Sequence, residues 1–125
     1  MSSIAFITGA TSGIGKATAY ALAKAGYSLI LCGRRVERLN EIQEELSQLV
    51  PCIILIFDVR NQHAVQEAID SLPTEWKTIE VLVNNAGNAH GFGSVAEGDI
   101  QDWDAMIDGN VKGLLYVSRA IIPLM

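Results

Sequence analysis

The chain is poor in cysteine, in aromatic residues and in positive charge, and it has no long apolar run. Its two cysteines, Cys32 and Cys52, each sit inside an apolar stretch with no second thiol at metal-ligand spacing. That excludes a disulfide-stapled scaffold and a cysteine-type zinc site. It leads us to expect buried free thiols and a cytoplasmic protein. Nine lysines and arginines face fourteen aspartates and glutamates, a net charge of -5. Nucleic-acid binders normally carry a basic face, so no nucleic-acid partner is expected. An acidic total is compatible with a nucleotide ligand, whose phosphates need only a local cluster of donors. No apolar stretch approaches the ~20 residues that span a bilayer, and Arg119 interrupts the best candidate. The first seven residues lack a basic segment, so neither a signal peptide nor membrane attachment is expected.

What is present suits a packed domain. Half of the 125 residues are hydrophobic and 18% are charged, which fits one globular unit. Short apolar runs alternate with amphipathic segments. Residues 4–7 read as a strand, and residues 14–25 as a helix ended by Gly26, which suits the left-handed position after a helix. Residues 29–32 form a second strand. Residues 36–49 carry apolar side chains at 39, 42, 46 and 49, one helical face, and Pro51 follows. Residues 52–57 are an unbroken apolar run, as in parallel strands covered on both faces. Asn61 caps a helix expected to reach about residue 72, before Pro73. Residues 81–83 form a fourth strand and residues 87–98 a glycine-rich loop. Asp99 caps a last helix expected to run to about residue 122 and stop at Pro123.

This β-α-β-α-β-α-β-α order predicts an α/β fold with a doubly wound parallel sheet over residues 1–125. There are no internal repeats, linkers or second domain. A fourth strand of buried composition would lie at an open edge, so we expect the domain to be truncated after the fourth strand and its helix.

The turn Thr8-Gly9-Ala10-Thr11-Ser12-Gly13-Ile14-Gly15 joins the first strand to the first helix. Small residues there let the backbone turn sharply and approach a diphosphate. The helix N-terminus then offers bare amides and a favourable dipole. Thr11 and Ser12 add hydroxyl donors. The spacing is G-x-x-x-G-x-G, not the G-x-G-x-x-G of longer-chain dehydrogenases.

In this order and spacing the chain resembles the short-chain dehydrogenases/reductases over essentially its whole length. Besides the glycine turn, Asp58-Val59 stands where that family places an aspartate near the adenine ring. Asn84-Asn85-Ala86-Gly87 is similar to its N-N-A-G motif, and Asn110-Val111-Lys112-Gly113 to its N-x-x-G stretch. The resemblance implies a Rossmann-type dinucleotide-binding part with Gly9, Thr11, Ser12, Gly13, Ile14 and Gly15 at the cofactor. It adds Asp58, Val59, Asn84, Asn85, Ala86 and Gly87 from the later strands.

The cofactor preference comes from the end of the second strand. NAD sites place an acidic residue roughly 20 positions after the glycines, whereas here Gly33-Arg34-Arg35 occupies that place. A carboxylate repels a 2′-phosphate and a guanidinium pairs with it. NADP(H) is therefore expected, with NAD(H) disfavoured. Arg34 is the better candidate for contact, and Lys16 is a more distant cation. The bland alternatives are solvated loop arginines and, for Asp58, a carboxylate that caps its own turn.

In the family a tyrosine transfers the proton, a lysine lowers its pKa, a serine orients the substrate oxygen, and a helical asparagine supports the proton relay. That is general acid–base catalysis alongside hydride transfer. Asn110 matches the asparagine, and we expect it to be buried with partners. The serine, tyrosine and lysine are not found. Tyr20-Ala-Leu-Ala-Lys24 fits Y-x-x-x-K, but it lies in the helix whose start faces the diphosphate and cannot reach the nicotinamide. His63 reads as a solvated helix residue and His90 as an unpaired residue of the glycine-rich loop, with a place at a substrate mouth the lesser reading.

Gly109 departs from relatives that carry a side chain there. It costs roughly 1 kcal/mol of helix propensity and, with Gly113, thins one helix face. Trp76, Asp102-Trp103 and Arg119-Ala120 further resemble the NADP-dependent 3-hydroxy acid (serine-type) dehydrogenases, with the tryptophans as packing residues. The resemblance implies a small alcohol or 3-hydroxy acid interconverted with its ketone, in a homodimer or homotetramer. The 125-residue chain by itself is expected to be inactive. Two readings stay open beside the enzyme: a non-catalytic dinucleotide-binding or sensing protein, and a structural subunit of the same fold.

Overall fold

Four apolar runs form one parallel sheet: β1 (Ile4–Ile7), β2 (Ser28–Gly33), β3 (Cys52–Ile56) and β4 (Ile79–Val83). The computed structural model describes residues 2–88, 91 and 93–125. The strand order is β3-β2-β1-β4, and every pairing is parallel. Between the strands run α1 (Gly13–Lys24), α2 (Val36–Leu46) and α3 (Gln62–Asp70), and α4 (Ile100–Ile107) and α5 (Gly113–Ile121) follow β4.

Strand periodicity splits the core into two layers, because successive side chains point to opposite faces. Ala5, Ile7, Leu29 and Leu31 pack against Ala19 and Ala23 of α1 and Leu39, Ile42 and Leu46 of α2. Ile4, Phe6 and Ile30 pack on the other face against Val65 and Ile69 of α3 and Val117 and Ile121 of α5. The sheet is therefore doubly wound. β1 and β2 are covered on both sides, while β4 at the edge buries only Ile79.

Local chemistry sets the ends. After α1, the Gly26 N–H donates to the Ala23 carbonyl and the Tyr27 N–H to the Leu22 carbonyl, with Gly26 at φ +93°. This is the paired closure that favours glycine. Asn61 Oδ1 accepts the Ala64 N–H at 3.0 Å, and Asp99 Oδ1 accepts the Gln101 N–H at 2.8 Å.

Two expectations need correction. α2 ends at Leu46, and Leu49 is 60% exposed instead of joining the buried face. The amides of Leu49 and Val50 fold back onto the Leu46 carbonyl, which turns the chain toward Pro51. The last helical region is not continuous: a π-helical turn, Asp108–Lys112, separates α4 from α5. It ends at Gly113, where a Cβ would lie 2.7 Å from Val59 Cγ2. The widened turn thus accompanies close approach of the helix backbone to the loop after β3. α5 ends at Ile121, as expected, and Pro123 lies within the 3₁₀ turn Ile122–Leu124 that follows it. A first-turn proline loses no hydrogen bond there.

Candidate functional site: a crevice at the strand ends

β1 has β2 on one side and β4 on the other, and the chain returns from β3 across the sheet to reach β4, so the strand order reverses at β1. A crevice forms at such a switch point, outside the carboxyl ends of the strands. Here it is a cavity of about 340 Å³.

Its floor is the turn between β1 and α1. Gly9 and Gly13 have φ of +61° and +56°, conformations costly for other residues. At Gly15 the constraint is space, since a Cβ would stand 2.0 Å from the Gly9 carbonyl oxygen. Thr11, Ser12 and Ile14 line the cavity, whereas Gly13 and Gly15 shape the turn behind it. Ser12 precedes α1 in an extended conformation and makes no side-chain cap. The first amides of α1, which have no intrahelical acceptor, therefore receive none from that hydroxyl. Lys16 is exposed one turn further on.

Thr8, behind the floor, is buried and organises two strand ends. Its Oγ1 accepts the main-chain N–H groups of Asn85 and Ala86, each at 3.0 Å, and donates to the Val83 carbonyl at 3.4 Å. Asn85 Nδ2 donates to the Gly9 carbonyl at 3.1 Å. These bonds hold Asn85, Ala86 and Gly87 along the cavity wall. Asn84 stands apart from it: its Nδ2 donates to Ser118 Oγ at 3.0 Å, and its buried Oδ1 has no partner among the described residues.

The second wall carries the charge. Arg34 and Arg35 leave the end of β2 and line the cavity with Asp58, Val59 and Arg60 from the end of β3. Arg34 is half-exposed, with Nη1 3.6 Å from Asp58 Oδ2. Asp58 also accepts the main-chain N–H of Arg60 at 3.0 Å, so it caps its own turn while facing the cavity. Its carboxyl is held below the usual carboxylate range, chiefly by the Arg60 side-chain hydrogen bonds, against an opposing effect of burial.

Asn110 lies in the π-helical turn and is exposed, contrary to the expectation of a buried residue. Its partners are main-chain atoms: Oδ1 accepts the Asn88 N–H at 2.9 Å and Nδ2 donates to the Asn88 carbonyl at 2.8 Å. The clasp needs Gly87, where a Cβ would fall 2.2 Å from Asn110 Oδ1.

Several other residues stand away from this chemistry. Tyr20 hydroxyl donates to the Glu45 carboxylate, tying α1 to α2 on the outer layer. That bond first, with burial and the Glu45 charge, pushes its pKa up to about 12. His63 is exposed beside Glu67 at 3.7 Å, and His90 lies outside the described residues. Trp76 is buried in the core, but Trp103 is 37% exposed and covers Gly98 instead of a core position. Cys32 and Cys52 are buried free thiols raised in pKa by burial. Among the described residues there is no metal-ligating cluster, and no helix is long and apolar enough to cross a membrane.

Three organising residues escaped the sequence reading: Thr8 as a cross-strand tie, Asn88 as the partner of Asn110, and Arg60. Only Arg60 left a signal, a cation two positions after a turn carboxylate. The other two act across 77 and 22 positions.

A family described as short chain dehydrogenase has a profile that matches residues 3–125 of the chain. The chain belongs to the short-chain dehydrogenase family. It is 50% identical over 125 residues to sulfoacetaldehyde reductase 2 of Chromohalobacter salexigens, covering all of this chain and 50% of that protein. It is 43% identical over 122 residues to the NADP-dependent 3-hydroxy acid dehydrogenase of Escherichia coli K12, covering 98% of this chain and 48% of that protein. A solved structure of serine dehydrogenase complexed with NADP+ superposes with a TM-score of 0.89 at 43% identity, over 98% of this chain and 48% of that one. The chain thus spans about half the length of the curated relatives it matches.

Proposed function

We propose that this chain is the NADP(H)-binding part of a short-chain oxidoreductase that interconverts a small alcohol or 3-hydroxy acid and its ketone. The observation that carries the reading is that Arg34 and Arg35 open onto the same cavity as the glycine turn. The donor set fits the ligand. Uncapped first-turn amides with Thr11 and Ser12 suit a diphosphate, and the two guanidinium groups suit a further phosphate on the adenosine ribose. Asp58 and Val59 border the adenine end, while Asn85, Ala86 and Gly87 border the nicotinamide side. When bound, the nicotinamide supplies the hydride chemistry. The chain's own share is binding and orientation, with Asn110 fixing the loop after β4 on that side. Among the described residues that line the crevice there is no tyrosine or lysine, which supports the reading that the 125-residue chain binds nucleotide without turnover.

Titration of NADPH and NADH into the chain, followed by calorimetry, tests this. Saturable binding with NADPH preferred is expected. Arg34→Asp should weaken NADPH roughly tenfold or more, since a charge-assisted bond is worth about 1.5–3 kcal/mol. Unchanged NADPH affinity in that variant would remove the 2′-phosphate assignment.

The relatives' names also bear on substrate, through a 3-hydroxy acid and sulfoacetaldehyde. Both are small and anionic, which supports a small acidic substrate for the whole protein. Exposed Ile107, Val111, Leu114 and Leu115 form an apolar face around the π-helical turn. That face supports a homodimer or homotetramer, and sedimentation of the protein checks it.

A further inference from the structure

Asp58 lies between two arginines, and Arg60 occupies it almost completely. Arg60 Nε donates to both carboxylate oxygens at 3.1 Å, Nη2 donates to Oδ2 at 2.7 Å, and the main-chain N–H donates to Oδ1 at 3.0 Å. A carboxylate has about four lone-pair sites, and three N–H groups of Arg60, one of them shared between the two oxygens, engage both oxygens. Arg34 Nη1, at 3.6 Å from Oδ2, is beyond hydrogen-bond reach. The Arg60 stem passes over Gly109, where a Cβ would lie 4.0 Å from its Cγ and Cδ. Glycine at this position therefore leaves the floor under the stem free of side-chain atoms. Asp108 also faces Arg60 and adds a second negative charge. Arg34, Asp58 and Arg60 all border the cavity.

We propose that Arg60 is a positioning residue for cofactor selectivity: its fork holds the Asp58 carboxylate, which would otherwise capture Arg34 and withdraw it from the 2′-phosphate. The inference rests on the nucleotide reading above. Without Arg60, Asp58 is an unpaired carboxylate 3.6 Å from the guanidinium that the phosphate needs. The competition acts on NADPH and spares NADH, because only NADPH carries the 2′-phosphate. The adenine contact of Asp58 is common to both nucleotides and cancels in their affinity ratio.

A double-mutant cycle tests this on the chain, with dissociation constants for NADPH and NADH measured by calorimetry. Arg60→Met should lower the NADPH-to-NADH preference about threefold, the scale of an exposed ion pair. Asp58→Asn should restore the preference in the Arg60→Met background and change it less than twofold alone. Simple through-space charge would make Asp58→Asn act by the same factor in both backgrounds, and that additivity would overturn the proposal. Arg60→Lys keeps the charge but loses the fork, so it should also lose preference. Parental behaviour of the lysine variant would overturn the proposal even if Arg60→Met fails to fold. If Arg34→Asp has no effect, the nucleotide reading itself fails. A strong Arg34 effect with an additive cycle removes only the role of Arg60.

Discussion

Single atoms decide the crevice. Gly15 faces the Gly9 carbonyl so closely that a Cβ, 2.0 Å from that oxygen, must displace backbone. Gly15→Ala is therefore expected to abolish nucleotide binding and lower the melting temperature, as calorimetry on the purified variant would show. Thr8 is equally constrained, since its one hydroxyl accepts two main-chain amides. Thr8→Val keeps the shape and removes the acceptor. The cost is expected to be about 2 kcal/mol or more, measured by urea unfolding. Tyr20 reports on a different contact. Its folded pKa of about 12 lies above the ordinary 10.0, so the Glu45 bond contributes stability that is complete below pH 10 and is lost as pH rises toward 12. Absorbance titration should show a tyrosine that ionises late, and Tyr20→Phe should remove that step.

At the scale of elements, the ends that carry side-chain signals fall where those signals put them. Asn61 and Asp99 cap α3 and α4, and Gly26 closes α1. Asn61→Ala should cost about 1 kcal/mol, readable as a shift in the denaturation midpoint. Ends without such signals moved. Leu49 continues the apolar spacing of α2 yet lies in solvent, because the chain had already turned toward β3. The π-helical turn was illegible, since the pattern around Gly109 and Gly113 reads equally well as continuous helix. What it accommodates is Val59, more than fifty residues earlier in the chain.

Across the whole molecule, stability is centred on β1 and β2. Their side chains are sealed between two helical layers, whereas β4, among the described residues, pairs with β1 alone. Hydrogen exchange is expected to be slowest in Ile4–Ile7 and Leu29–Cys32. The β4 amides that point away from β1 should exchange much faster. Uniform protection across all four strands would contradict this gradient.

The sequence by itself determined the layered α/β architecture, the turn that bares helix amides, and the pair of cations after β2. These follow from periodicity, glycine and charge within a few neighbouring residues, and such information is local. Only the tertiary structure decided which of those residues meet. It joined Thr8 to Asn85 and Ala86, took Asn84 away from the cavity to Ser118, exposed Asn110 and bound it to Asn88, and set Arg60 between Asp58 and Gly109. The physical reason is that a hydrogen-bond acceptor or a van der Waals limit acts over a few ångströms of space, while the chain separates those partners by many residues.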